Sequence, residues 1–517
     1  MGQRTYNILF HTHTVSGIVI SVLLYVIFFA GSFSFFRDEI ANWERGETVA
    51  VKDELSLNFD KVLDSLEKTY PLYSRDIEIR HFFNERKANI SLGASKDSLL
   101  SADKKAGNYI YLDTKTHSST DYMGAYSLGE FLYRLHFFAQ VPYPFGYYLS
   151  GFTAFFFLFA IVTGIIVHWK KIVSNFYLFR PLAKLKVMWT DAHTALGVIG
   201  FPFQFVYAVT GAFFMLKLLL VAPSVFTLYN GDESKLYDDL EYNHPVYNFT
   251  DSKLTSTVSI NAYAEKAKAL WPNFKLQEIH IFNYGDENMH ISVSGQIPYK
   301  SSFNGLGNII YQPSNGSLEI IKDPTQSSSY LDGVKNVLYR IHYGDYAGYG
   351  LKIISFILGL ISCFVIISGV MIWLVARDKK HIPEKRRRFN EAVVRYYLAI
   401  CLSMFPATAL TFILVKLYQP AGMTLTYYFY FLSWLAFSVF FIIRKNNALT
   451  NMYTLFLGAA LGILVPIANG LMSGKWIWIA YKERATDIWF IDVFWIALSL
   501  VSFTVAIKLM RKRMTRL

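Results

Sequence analysis

The sequence predicts a polytopic α-helical membrane protein of about eight transmembrane helices, with two small α+β modules carried in its long loops. Three observations predict this. Hydrophobic residues make up 53% of the 517 and charged residues only 17%, too few to cover a water-soluble protein of this size. Apolar runs recur that can cross a hydrocarbon core, which takes about 20 helical residues. A span, a long polar loop and a second span occur twice in succession before residue 377.

The runs Thr14–Phe36, Gly146–Trp169, Ala192–Leu216, Ile353–Ala376, Tyr396–Val415, Thr424–Ile443 and Thr450–Met472 contain no Asp, Glu, Lys or Arg. Ile488–Ile507 completes the set and carries Asp492. The first run is expected to persist as a span, because its apolar stretch is long and no small-residue cleavage pattern follows it. The cysteines are Cys363 and Cys401, both in apolar runs. So few thiols exclude iron–sulfur clusters and c-type haem attachment, and argue against structural zinc.

Lys and Arg gather on alternate loops: Lys170, Lys171, Arg180, Lys184 and Lys186; Arg377, Lys379, Lys380 and Lys385–Arg388; Arg444 and Lys445; and Lys508, Arg511, Lys512, Arg513 and Arg516. The positive-inside rule then sets both termini in the cytoplasm and loops 37–145 and 217–352 outside, in the periplasm of a Gram-negative cell. The expected location is the bacterial inner membrane. The +12 net charge is assigned to topology and lipid headgroups, with no nucleic-acid partner. The chain divides into a first span (8–36), an outer module (37–131), an outer histidine segment with the second span (132–170) and a cytoplasmic loop (171–191). A third span (192–220), a second outer module (221–337), its histidine segment and fourth span (338–376), a basic loop (377–392) and four further spans (393–510) follow.

Each long loop has one helical segment followed by strands. The first has a helical pattern at Phe59–Leu66, then strands at Ile77–Phe83, Ala88–Leu92 and Tyr109–Asp113. The second has a helical pattern at Ile260–Trp271, then strands at Leu276–Phe282, His290–Val293 and Asn308–Gln312.

The duplication is sharpest at the histidines. His13-Thr14-Val15-Ser16-Gly17 with Gly31 matches His193-Thr194-Ala195-Leu196-Gly197 with Gly211, at equal spacing. Leu132-Tyr133-Arg134-Leu135-His136 matches Leu338-Tyr339-Arg340-Ile341-His342, and Thr163-Gly164 matches Ser368-Gly369. His168 stands where the second copy has Trp373, and the last four spans lack these motifs.

A histidine at membrane depth is costly and marks a functional path, and imidazole ligates metals and haem. A lone histidine at a helix end is ordinarily interfacial or hydrogen-bonded, but four in duplicated contexts reverse that default. The expected arrangement pairs His13 with His193 at the inner end and His136 with His342 at the outer end, about a pseudo-twofold axis. Gly31 lies about 27 Å from His13 along a helix, so the pairs would sit near opposite faces. The glycines would let a flat ring or a neighbouring helix approach. His168 is a reserve ligand, while His11 is assigned to water. His81, His117, His244, His280, His290 and His381 are assigned to solvated surface. Arg134 and Arg340 could hold haem propionates, the alternative being snorkelling to headgroups.

These residues carry a resemblance. The order of His-x-x-x-Gly span, outer module ending Tyr111-Leu112-Asp113, Leu-Tyr-Arg-x-His and Gly-bearing span, over roughly residues 8–380, resembles the PepSY-associated transmembrane family. The modules are then PepSY-like. Its characterised members are di-haem inner-membrane reductases of ferric siderophores. The resemblance implies two b-type haems, bis-histidine ligation by His13, His193, His136 and His342, and a haem-dependent oxidoreductase serving iron acquisition. No Gly-x-Gly-x-x-Gly of a fused flavin and nicotinamide reductase is present, so the donor is a cytoplasmic flavoprotein, a quinone or another species. Two other classes compete. A small-molecule or ion transporter would show broken spans and a midplane polar site, with Pro202, Pro466, Asn469 and Asp492 as the relevant residues. A membrane-anchored module for binding or regulation would need no haem.

Overall fold

The computed structural model describes residues 2–49, 52–169, 172–177, 180, 185–242, 244–299, 301–326 and 328–514. The loop and tail cations Lys170, Lys171, Lys184 and Arg516 lie outside the described residues. Two compact units are present, one from residues 1–46, 127–227 and 338–517 and the other from residues 47–126 and 228–337.

The first unit is helical. Among the described residues, eight helices are long and apolar enough to cross a membrane. They are Gln3–Ser34, Phe145–His168, Leu185–Leu228, Gly348–Arg377, Glu384–Leu417, Gly422–Arg444, Asn447–Ser473 and Thr486–Met514, numbered here as spans one to eight. Every expected apolar run falls within one of them or overruns it by a residue or two. The third span extends well past the expected Leu216, to Leu228. Phe152, Phe155, Phe156 and Phe159 of the second span are each 44–49% exposed, an outward apolar face that suits lipid and not water. The fifth span is two helices meeting at Ser403, where Pro406 lacks the N–H that would have bonded back across the junction.

The first span packs against the second and fourth, and the eighth against a short helix, Arg37–Arg45. Phe33, Phe356 and Trp495 are buried together, with Phe33 5.4 Å from Phe356 and 6.1 Å from Trp495 between ring centres. The fifth, sixth and eighth spans thus pack against the duplicated part, and the seventh packs against the fifth and eighth. Helix continues through Pro202 in the third span and Pro466 in the seventh, so neither proline breaks a span.

The second unit is one antiparallel sheet of eight strands in the order β4-β3-β2-β1-β5-β6-β7-β8. The strands are β1 (Ile77–Arg80), β2 (Lys87–Leu92), β3 (Asn108–Asp113), β4 (Ser119–Thr120), β5 (Lys275–Phe282), β6 (His290–Gln296), β7 (Leu306–Gln312) and β8 (Ser317–Lys322). The two modules expected from the two loops are joined edge to edge, β1 against β5, with Ile77 opposite Ile281 and Ile79 opposite Ile279. Pairing removes the bare edge that either half would expose alone. Alternation sends Ile77, Ile79, Ile90, Ile279, Ile281, Ile291 and Val293 to one face, where helices Phe59–Glu67 and Ile260–Leu270 cover them. These helices cap each other. Asp60 Oδ1 accepts from the Ile260 N–H at 2.7 Å, and Asn261 Oδ1 accepts from the Phe59 N–H at 2.8 Å. The first strand stops at Arg80, short of the expected Phe83, and Phe82 is exposed.

Candidate functional site

His13 lies on the first span and His193 on the third, and their rings face each other with centres 6.2 Å apart and planes at 74°. Each is oriented by the span that follows it in the duplication. His13 Nδ1 bonds the Ala160 carbonyl at 2.8 Å, and His193 Nδ1 bonds the Val365 carbonyl at 2.9 Å. A carbonyl only accepts, so both Nδ1 atoms carry hydrogen and both Nε2 atoms keep a lone pair. Ala160 and Val365 each stand four residues before the matched glycines, so the contact itself is duplicated. Ser368 Oγ also lies 3.1 Å from His193 Nδ1.

Gly164 and Gly369 make room for these rings. A Cβ on Gly164 would stand 3.1 Å from His13 Cε1, and one on Gly369 would stand 3.2 Å from His193 Cε1. Gly17 and Gly197, one turn from the inner histidines, behave differently: a Cβ there would meet nothing within 4 Å. Of the two expected uses of these glycines, close approach of a neighbouring helix or of a flat ring, the space found among the described residues leaves the second.

His136 caps the end of helix Leu128–Leu135, and His342 lies in helix Tyr330–Tyr343. Their rings are 6.4 Å apart between centres, with planes at 32°. His136 Nδ1 bonds the Tyr133 carbonyl. Thr210 Oγ1 donates its hydrogen to the Val206 carbonyl and so accepts from His342 Nδ1 at 2.7 Å. Again Nδ1 is used and Nε2 is left. The orienting partners are not duplicated here, because Ala30 stands where the second copy has Thr210. Gly31 faces His136, its would-be Cβ at an ordinary contact distance of 3.8 Å from His136 Cβ. From His13 to Gly31 is about 27 Å of helix, which separates the two pairs along the bundle.

An imidazole nitrogen binds a transition metal at about 2.0–2.1 Å and lies about 1.1 Å from its ring centre, so two imidazoles on opposite sides of one ion stand about 6.2 Å apart. Ring-centre separations of 6.2 and 6.4 Å are of the size a shared ion between each pair requires. Bis-histidine haem fits this donor set.

The arginines are engaged within the chain. Arg134 Nε bonds Glu130 Oε1 at 2.5 Å, and Arg37 bonds Glu130 Oε2 at 2.6 Å. Burial alone would raise the Glu130 pKa, but Arg37 and Arg134 hold its carboxyl below the usual range. Arg340 pairs with Asp345 at 2.6 Å. Neither arginine is an isolated cation, since each is paired with an acid of the chain. His168 ends the second span, and the ring opposite His13 is that of His193. His11 is exposed.

Residues 10–376 match the family model described as the PepSY-associated TM region. The chain belongs to this family. No curated protein matches it. In this PepSY-associated protein the match covers both copies of the repeat and ends before the four C-terminal spans. Those spans hold the polar residues weighed above for a transport site. Asp492 accepts from Trp43 Nε1 and Asn469 Nδ2, each at 2.8 Å, and Asp487 accepts from Asn42 Nδ2 at 2.8 Å. The set closes on protein groups and ties the seventh and eighth spans to helix Arg37–Arg45.

Sequence reasoning missed Glu130, Thr210 and the work of Gly164 and Gly369. The glycines were visible as a matched pair, and their contact with the histidines needed coordinates. The assignment of His280 and His290 to solvated surface is corrected. His290 stacks on Tyr247 with ring centres 3.6 Å apart, and His280 on Phe282 at 4.0 Å.

Proposed function

We propose that this protein carries electrons across the bacterial inner membrane to reduce a ferric siderophore or another ferric chelate. One b-type haem would be held by His13 and His193 and a second by His136 and His342. The observation that carries this reading is the matched spacing of two histidine pairs, 6.2 and 6.4 Å, with all four Nδ1 atoms bonded to protein. Hydrogen-bonding Nδ1 fixes the tautomer and presents Nε2 to iron. Bound there, haem supplies reversible one-electron transfer.

The remaining roles follow from the residues. Gly164 and Gly369 seat the inner rings, and the open surface at Gly17 and Gly197 admits a flat macrocycle. Glu130 orients Arg134, and Asp345 orients Arg340, near the outer pair, where each guanidinium can take a propionate. The alternation of basic loops directs both termini to the cytoplasm and the long loops to the periplasm. Electrons would enter from a cytoplasmic flavoprotein or a quinone and leave to the chelate outside. Reduction loosens the chelate because oxygen-rich ligands favour the harder, more highly charged Fe(III) over Fe(II).

A dithionite-reduced minus oxidised spectrum of the purified protein tests this directly. A b-type α band, followed by its reoxidation on adding a ferric siderophore, supports the proposal. A protein that binds no haem when supplied with it would refute the proposal and leave a transporter or a haem-free module as the better reading.

A further inference from the structure

Strand β5 turns Ile279 and Ile281 to the helices and so presents Glu278, His280 and Phe282 on the opposite face of the sheet. Register sets Glu78 of β1 opposite His280, and Arg80 opposite Glu278. The segment before helix Ile260–Leu270 brings His244 to the same place, its ring centre 5.1 Å from that of His280 and its plane at 80°. One ligand atom from each of His244, Glu278 and His280 lies within 4.8 Å of the others.

Two further observations point to a ligand. His280 Nδ1 is buried without a hydrogen-bond partner, a state that costs free energy unless something binds there. The ring is also held in place, stacked on Phe282 at 4.0 Å. The ring spacing also agrees with a shared ion. With each ring centre about 3.1 Å from the ion, two imidazoles on a tetrahedral ion stand about 5 Å apart, against about 6.2 Å when opposed. The 5.1 Å here fits adjacent ligands, unlike the opposed pairs in the membrane unit.

We propose that His244, Glu278 and His280 bind a divalent transition-metal ion of the Fe(II) or Zn(II) class, which takes two imidazoles and a carboxylate. Arg80 Nε bonds Glu278 Oε2 at 2.5 Å and also contacts Glu78, so Glu278 Oε1 is the oxygen available to the ion. Three protein ligands leave a coordination position open to water or to an oxygen of a bound molecule. This site is independent of the four histidines of the membrane unit and of whether they hold haem.

The test uses the full chain, purified in detergent and stripped with a chelator. It is dialysed against Zn(II) and, without air, against Fe(II), and bound metal is counted. Either ion should occupy a site that His244→Ala and His280→Ala each weaken by at least about tenfold, with His117→Ala unchanged. The membrane histidines are intact in all these variants, so any metal they take up cancels in the comparison. His244 is exposed and its loss spares the fold, so His244→Ala carries the test alone should His280→Ala not fold. Binding of neither ion, or binding undiminished by His244→Ala, would overturn the proposal.

Discussion

Replacing Gly369 by alanine puts the duplicated seating of the inner histidines to a quantitative test. The added carbon would stand 3.2 Å from His193 Cε1. Carbon atoms settle at about 3.5–4.0 Å, so the ring must retreat by about 0.3–0.8 Å. Its Nδ1 bond to Val365 is 2.9 Å long. Retreat along that line takes it to about 3.2–3.7 Å, the edge of hydrogen bonding. Losing the bond that orients a metal-bound imidazole costs about 10–100-fold in affinity. On the haem proposal, Gly369→Ala should therefore weaken haem binding at the inner pair by about that factor and spare binding at the outer pair. Gly164→Ala should do the same through His13, where the carbon would stand 3.1 Å from Cε1. Gly350→Ala, in the same helix as Gly369 but with nothing within 4 Å of the added carbon, is the control. Haem titration of detergent-purified apoprotein, followed by absorbance, reads all three. Wild-type affinity in Gly369→Ala would show that the glycine does not seat the ligand, and the reasoning would fail.

Asp492→Ala strips the acceptor from Trp43 Nε1 and Asn469 Nδ2. Leaving both donors buried should cost about 2–5 kcal/mol, seen as a lower melting temperature in detergent, with Asp492→Asn costing less. Ile279→Ala opens a cavity at the β1–β5 seam, where Ile279 is fully buried. A loss of about 2–5 kcal/mol should speed amide exchange in β2 and β6 alike, whereas acceleration on one side only would mean that the joined sheet does not unfold as one unit. The His280 pKa of about 4 lies below the ordinary 6.5, so the unfolded chain binds more protons between these values. In protein stripped of metal, stability of the sheet unit should fall as pH drops from about 6.5 to 4, and His280→Asn should flatten that slope in exchange measurements.

The spans were legible because lipid imposes one rule on every residue of a crossing helix, so composition alone marks them. Six of the eight strands of the outer modules were legible to within a few residues, because the period-two alternation of Ile77–Ile79 and Ile279–Ile281 survives in the fold, whereas the edge strands β4 and β8 were not expected. Their joining at β1 and β5 was not. Which edge a strand offers to a distant partner depends on main-chain groups that every residue carries, and the pattern is silent about it. The candidate site divides in the same way. The four histidines stood out through repetition, and the structure brings them together in two pairs. Partners that act through the backbone, such as the Ala160 and Val365 carbonyls, leave no trace in residue type. Glu130 looked like an ordinary helix-surface acid, and its role shows only once Arg37 and Arg134 converge on it. His280 looked like surface because alternation on a two-faced strand usually sends its partner face to water.

Haem content of single and double histidine variants bears most directly on the pairing. Pairing of His13 with His193 predicts that His13→Ala, His193→Ala and the double variant each lose the same haem and retain the one held by His136 and His342. A double variant that loses more haem than either single variant would place the two histidines on different haems and contradict the pairing.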